Sequence, residues 1–186
     1  MDTTELTIPG LLVINPVIRK DSRGWFAETY HANKYLEQNI PNSFVQDNTS
    51  FSNKNILRGL HIQKPFQGKL VQVLQGKIFD VAVDLRKDSP TFGKWEGVFL
   101  SSETKTQFWI PEGFAHGFFV LSDTALFTYK CTNFYNPHNE YTLAWDDSSV
   151  GIEWPLSDAW GFYNKPLVSE KDSKGKSLDF FKNEEW

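Results

Sequence analysis

Polar and apolar positions alternate with period two along much of this chain. From Lys77 to Leu85, Phe79, Val81, Val83 and Leu85 interleave with Ile78, Asp80, Ala82 and Asp84, which is the pattern of a strand with two distinct faces. Runs of similar character predict strands at Leu11–Ile18, Ile56–Leu60, Lys69–Leu74, Gly97–Leu100, Thr106–Ile110, Gly117–Leu121, Ala125–Asn133 and Tyr141–Ala144. Gln75-Gly76 between two such runs reads as a tight hairpin. Asp88-Ser89-Pro90, Pro111-Glu112-Gly113, Ser122-Asp123 and Asn136-Pro137 read as further turns. One early helix stands out, Ala32 to Asn39, bounded by Pro41. Many short strands and few helices predict an all-β barrel or sandwich.

The 186 residues suit one domain spanning 1–186, with no repeat or long linker. Aromatic residues reach 16%, including 16 Phe and 7 Trp, which agrees with pleated, aromatic-packed surfaces. A formal net charge of −4 provides no global attraction for nucleic acid or an anionic membrane, so an anionic ligand has to meet a local basic patch. No apolar run approaches the roughly 20 residues of a membrane helix, and the first ten residues lack signal-peptide character. The single cysteine, Cys131, excludes an internal disulfide and suits a reducing compartment. The expectation is a soluble cytoplasmic protein.

In a small barrel one face of each strand lines the lumen. Polar residues set into apolar strands are therefore the candidates for chemistry: Arg58, His61, Gln63, Lys69, His116 and Tyr129. Two segments carry most of them, Arg58-Gly59-Leu60-His61-Ile62-Gln63 with Lys69 beyond it, and Pro111-Glu112-Gly113-Phe114-Ala115-His116. They resemble the paired motifs of the cupin barrel superfamily. The second histidine of the first motif is here Gln63, and the usual glutamate is Lys69. An ammonium has no lone pair to give a metal. Lys69 instead provides a fixed positive charge suited to a developing enolate oxygen. The expectation is no metal and no cofactor, with a metal-dependent cupin enzyme as the alternative class and a non-catalytic sugar-binding module as another.

Further segments narrow the resemblance. Asp21-Ser22-Arg23-Gly24-Trp25-Phe26-Ala27-Glu28, Gln46-Asp47-Asn48-Thr49-Ser50, Val81 to Arg86, Ser89-Pro90-Thr91-Phe92-Gly93, Tyr129-Lys130, Tyr135, Gly151 to Pro155 and Ser169-Glu170-Lys171-Asp172 are similar, in order, to the dTDP-4-dehydrorhamnose 3,5-epimerases. The similarity runs from about residue 8 to 172. It implies a cupin-type double-stranded β-helix, or jelly roll, with short peripheral helices. It also implies a homodimer in which an N-terminal strand crosses to the neighbour. The implied substrate is a nucleotide-diphosphate 4-keto-6-deoxy sugar, inverted at C3 and C5 on the way to dTDP-L-rhamnose. A relative inverting one carbon, or using CDP, shares the same residues and is the close rival.

The resemblance also assigns roles. His61 is the base, imidazole being a side chain that can take up and return a proton. Asp172 orients it, Tyr129 is the opposing acid, and Lys69 steadies the anions. Arg23 and Arg58 contact the pyrophosphate through planar guanidinium forks. Phe26, Glu28, Gln46, Asn48 and Tyr135 surround the nucleotide, some of them reaching a neighbouring chain, while His116 and Lys171 also border the substrate. Two departures stand out. Phe134-Tyr135 replaces the paired tyrosines many relatives carry, and Ala159–Asn164 reads as a short insertion able to displace Asp172.

Overall fold

The structure is a computed structural model that describes residues 1–157, 165–183 and 186. The Ala159–Asn164 insertion lies outside the described residues. Thirteen strands form among the described residues: β1 Asp2–Glu5, β2 Leu12–Asn15, β3 Ile18–Asp21, β4 Gly24–Ala27, β5 Gln46–Asn53, β6 Leu57–Gln63, β7 Lys69–Gln75, β8 Lys77–Asp84, β9 Trp95–Ser101, β10 Gln107–Ile110, β11 Phe114–Val120, β12 Thr124–Cys131 and β13 Glu140–Thr142. Among the described residues two short α-helices accompany them, α1 Ala32–Leu36 and α2 Leu178–Asn183. One sheet has the order β1-β2-β10-β7-β12-β5 and the other β13-β6-β11-β8-β9. Their strand pairs are antiparallel, and β3 and β4 form a separate hairpin. This is the jelly-roll architecture the sequence implies.

The alternation of each strand sorts residues into three apolar layers. Val71, Val73, Ile78, Ala82, Phe108, Phe118 and Phe127 fill the space between the two sheets. Leu60, Ile62, Val81 and Val83, on the outer face of the five-stranded sheet, are covered by Trp154, Leu178, Phe181 and Trp186. Tyr35 and Ile40, in and after α1, pack on Ile14, Leu70 and Trp109 of the other sheet. Phe127 is 1% exposed, and truncating such a ring to alanine costs about 3–5 kcal/mol. Because both faces of β8 are covered, every residue from Ile78 to Asp84 is buried.

Three expectations need correction. Gln75-Gly76 is not a hairpin turn, because β7 and β8 belong to different sheets and pair with other strands. The turn is a corner carrying the chain across the barrel. Gly76 adopts φ 84° there, and a Cβ would stand 2.1 Å from the Thr124 carbonyl oxygen, so only glycine fits. Leu11–Ile18 is not one strand. It breaks at Pro16-Val17 into β2 and β3, proline having no N–H for a ladder. The early helix ends at Leu36 instead of Asn39, and Asn39 turns left-handed at φ 59°.

The turns around Asp84 explain two of the quoted motifs. Asp84 is 0% exposed and accepts from Arg86 Nε (2.9 Å) and Nη2 (2.8 Å), Ser89 Oγ (2.6 Å) and Thr91 Oγ1 (2.6 Å). Burial pushes its carboxyl up, and these donors more than reverse that, holding it at about 2. The cluster ties the end of β8 to the following turn.

Candidate functional site

Inward-facing positions near one end of the lumen are polar, and they border a cavity of about 390 Å³. The strand periodicity carries each side chain there. Lys69 follows the parity of Val71 and Val73, His116 that of Phe114 and Phe118, Asp80 that of Ile78 and Ala82, and Tyr129 that of Phe127.

β6 is the exception to simple alternation. Arg58 and His61 are three residues apart, which would set them on opposite faces of a regular strand, yet both line the cavity. A register shift opposite β11 resolves this: His61 faces His116 while Arg58 faces Phe118, the signature of a bulge that re-aims side chains. Gly59 makes the bulge possible. Its φ is +119°, and a Cβ there would lie 2.6 Å from Gly117 Cα and 2.7 Å from the His116 carbonyl oxygen.

His61 Nε2 lies 2.6 Å from Asp172 Oδ1, a short contact between groups 28% and 4% exposed. The Gly59 N–H donates to the other carboxylate oxygen at 3.3 Å. Burial raises the Asp172 carboxyl, and the hydrogen bond and charge of His61, with Gly59 and Ser169, outweigh it and hold it below its ordinary value. The carboxylate is thus charged and fixes the ring through Nε2. Asp172 approaches His61 from behind, out of the lumen cavity, which it does not line.

Tyr129 reaches the same cavity from β12, in the facing sheet. Burial, together with Cys131 and Glu140, pushes its phenol up to about 12 against the opposing pull of Arg58, so it is a proton donor at neutral pH. Arg58 is a cation whose charge pulls this phenol down. Lys69 is 8% exposed and lines the cavity. Among the described residues its ammonium makes no ion pair within 4.0 Å. Burial draws its pKa down, opposed by the charges of Cys131, Glu140 and Asp80. A desolvated cation without an ion-pair partner in a cavity wall favours an anionic guest.

Gln46, Asn48 and Tyr135 line the cavity as well. Gln46 Nε2 donates to Asn48 Oδ1 (3.0 Å), and the Tyr135 N–H donates to Gln46 Oε1 (2.8 Å). Lys171 stays at the rim, 2.7 Å from Glu140. Arg23, Phe26 and Glu28 stand elsewhere, none of them lining this cavity. Arg23 and Phe26 are on the β3–β4 hairpin, with Arg23 88% exposed against Asp21 and Phe26 68% exposed. Glu28, just after it, pairs with Lys34.

The sequence reading missed two carboxylates. Asp80, 0% exposed, accepts from His116 Nε2 with both oxygens 3.0 Å away; burial raises the acid and lowers the imidazole. Its signal was a carboxylate on an inward position of an apolar strand, hidden because both faces of β8 are buried. Glu140 accepts from Tyr135 OH (2.8 Å) and Lys171 Nζ (2.7 Å). Burial raises its carboxyl, and these two donors and His61 bring it below its ordinary value. No motif announced it.

The residues at the cupin ligand positions do not suit a metal. Gln63 spends its amide on the Pro65 and Phe134 carbonyls and the Asn136 N–H, and Lys69 is a cation. Among the described residues no three His, Cys, Asp or Glu side chains converge on a metal position.

Proton transfer is the chemistry this lumen is equipped for, with an imidazole on one wall, a phenol on the facing wall and cations to hold the charge between them. That defines a jelly-roll enzyme of acid–base type. A model of the dTDP-4-dehydrorhamnose 3,5-epimerases matches residues 5–179. The epimerase of that name from Pseudomonas aeruginosa is 50% identical over 180 residues, 96% of each chain. One from Neisseria gonorrhoeae is 49% identical over 178 residues but longer, so that this chain spans 52% of it. The solved dTDP-6-deoxy-D-glucose-3,5-epimerase of Legionella pneumophila, in complex with dTDP-4-keto-L-rhamnose, superposes with a TM-score of 0.90 at 49% identity, covering 96% of this chain and 93% of that one. A 3'-monoepimerase from Streptomyces bikiniensis, in complex with dTDP-quinovose, gives 0.85 at 32% identity, covering 94% and 86%. This chain belongs to the dTDP-4-dehydrorhamnose 3,5-epimerase family, a family of isomerases.

Proposed function

We propose that the protein inverts C3 and C5 of dTDP-4-dehydro-6-deoxy-D-glucose, giving dTDP-4-dehydro-L-rhamnose without metal or redox cofactor. One observation carries the reading: His61 and Tyr129 project into one cavity from facing sheets, as a base and an acid must to work on opposite faces of a sugar ring. His61, with Nε2 held by Asp172, takes a proton from the carbon beside the 4-ketone at Nδ1. The electron pair moves onto the ketone oxygen, where the Lys69 ammonium and the His116 side of the cavity stabilise it. Tyr129 returns a proton to the other face. Ionising a phenol pushed up to about 12 demands cationic help, which Arg58 and Lys69 provide.

Arg58, Gln46, Asn48 and Tyr135 hold the nucleotide side of the substrate, with Lys171 at the rim. Arg23, Phe26 and Glu28 serve the cavity of a second copy in a homodimer. The exposed Trp25 and Phe26 of the β3–β4 hairpin, 56% and 68%, support the hairpin as the crossing element, while β2 pairs with β10 of its own chain. The setting is the cytoplasm, where nucleotide sugars are made and the lone Cys131 stays reduced. The rival, inversion at one carbon only, draws on the similarity to the 3'-monoepimerase. Incubation with dTDP-4-keto-6-deoxyglucose and NMR coupling constants of the product tests the choice: the L-rhamno configuration supports double inversion, and a product inverted at one carbon refutes it. A dimeric mass in solution is expected, and a monomeric mass removes the hairpin role.

A further inference from the structure

The reaction leaves Gln63 without a role. It stands two residues beyond His61 on β6, is 4% exposed and borders the lumen, yet both of its amide N–H groups are bonded to protein. Nε2 donates to the Pro65 carbonyl (3.1 Å) and the Phe134 carbonyl (2.8 Å), and Oε1 accepts from the Asn136 N–H (3.1 Å). The Phe134 carbonyl and the Asn136 N–H belong to the peptide groups on either side of Tyr135. One side chain therefore holds both of the planes between which the Tyr135 backbone turns. The first plane is gripped at its other edge too, because the Tyr135 N–H donates to Gln46 Oε1 (2.8 Å). We infer that Gln63 is a positioning residue for Tyr135, and that through Tyr135 it sets the affinity for the nucleotide. The inference rests on the reading that Tyr135 serves the nucleotide side of the substrate.

Tyr135 needs this support because it lies in the loop between β12 and β13 and is 51% exposed. Its hydroxyl donates to Glu140 (2.8 Å), but a ring so open to solvent gains little from packing. A ring free to swing has to be ordered when the base arrives, which weakens binding; a backbone held beforehand removes that loss. The neighbouring bonds serve the loop as a whole. Gln67 Nε2 donates to the Asn133 carbonyl (2.7 Å), Asn133 Nδ2 to the Phe66 carbonyl (2.6 Å) and Asn136 Nδ2 to the Lys64 carbonyl (2.7 Å). These join one loop to another, whereas Gln63 joins Tyr135 to the barrel wall.

The residue type fits the task. A planar amide brings two donors and an acceptor, while a neutral histidine, the usual cupin residue here, has one of each and a glutamate has no donor. The proton-transfer groups do not depend on this bracket: His61 is held by Asp172, and Tyr129 and Lys69 stand on β12 and β7.

Gln63→Met keeps the length of the side chain and removes all three hydrogen bonds. Calorimetric titration with dTDP gives Kd, and progress curves give kcat and KM. Kd and KM should rise about tenfold, the scale of losing an aromatic platform under a base. The kcat at saturating substrate should stay within about twofold of the parent, the mark of lost uniform binding. In a Tyr135→Ala background the same substitution should leave Kd for dTDP unchanged, since a residue that acts through another has no effect once the other is gone. Equal weakening in both backgrounds, a parental Kd for Gln63→Met, or a fall in kcat at unchanged KM overturns the inference. Should Gln63→Met fail to fold, Gln63→Asn, which draws the amide back by one methylene, carries the same test. Unchanged dTDP binding by Tyr135→Ala alone would refute the nucleotide reading of Tyr135, and the inference with it.

Discussion

Asp172→Asn isolates the carboxylate behind the base. The side chain keeps its size, so the pocket of a residue 4% exposed stays filled, but the charge 2.6 Å from His61 is gone. A charge pair about 4 Å apart between centres is worth about 4 kcal/mol at an effective dielectric of about 20. His61 is 28% exposed, which reduces that figure, and the expected loss in kcat is between about 10² and 10³. KM should hardly move, because Asp172 does not line the substrate cavity. The substitution also tests stability. Burial raises this carboxyl and His61 more than compensates, so its folded pKa lies below the unfolded value. Its stabilisation is therefore present above the unfolded pKa and lost as pH falls through the folded one. The variant should be less stable than the parent at neutral pH, with the difference vanishing in strong acid. NMR progress curves give kcat and KM, and urea melts across pH give the stability. A kcat within threefold of the parent would refute the dyad.

Other expectations follow from the same geometry. Gly59→Ala forces a Cβ into the β11 backbone at φ +119°; it should destabilise by about 3 kcal/mol or more and abolish activity together with the bulge, and a thermal melt unchanged from the parent would contradict that role. Tyr129→Phe should preserve proton abstraction, seen as exchange returning to the original face, while product inversion falls by about 10² or more; parental inversion would remove Tyr129 as the acid. Asp84→Asn should cost about 2 kcal/mol at neutral pH, since a carboxyl held at about 2 stabilises above its unfolded pKa and loses that contribution between about pH 4 and 2; an unchanged urea midpoint at pH 7 would count against the cluster.

Much of this was legible from the residues. Period-two alternation located most strands, and Lys69 in place of a carboxylate pointed away from metal chemistry. Strands rich in polar residues were not legible: β5, Gln46–Asn53, sits at a sheet edge and needs no apolar alternation. Gly76 was read as a hairpin because a tight turn looks alike whether it joins paired strands or crosses between sheets. Arg58 and His61 share a wall only because of the bulge at Gly59, which strict periodicity cannot place. Glu140 acquires its importance from Tyr135, five residues before it, and from Lys171, which is remote in sequence and is joined to it only by the fold.

Deuterium incorporation tests the central claim most directly. The protein, incubated with dTDP-4-keto-6-deoxyglucose in heavy water, should place deuterium at both C3 and C5, and the His61→Ala variant at neither while still binding the nucleotide. Undiminished exchange by that variant, or none by the parent, would contradict the account.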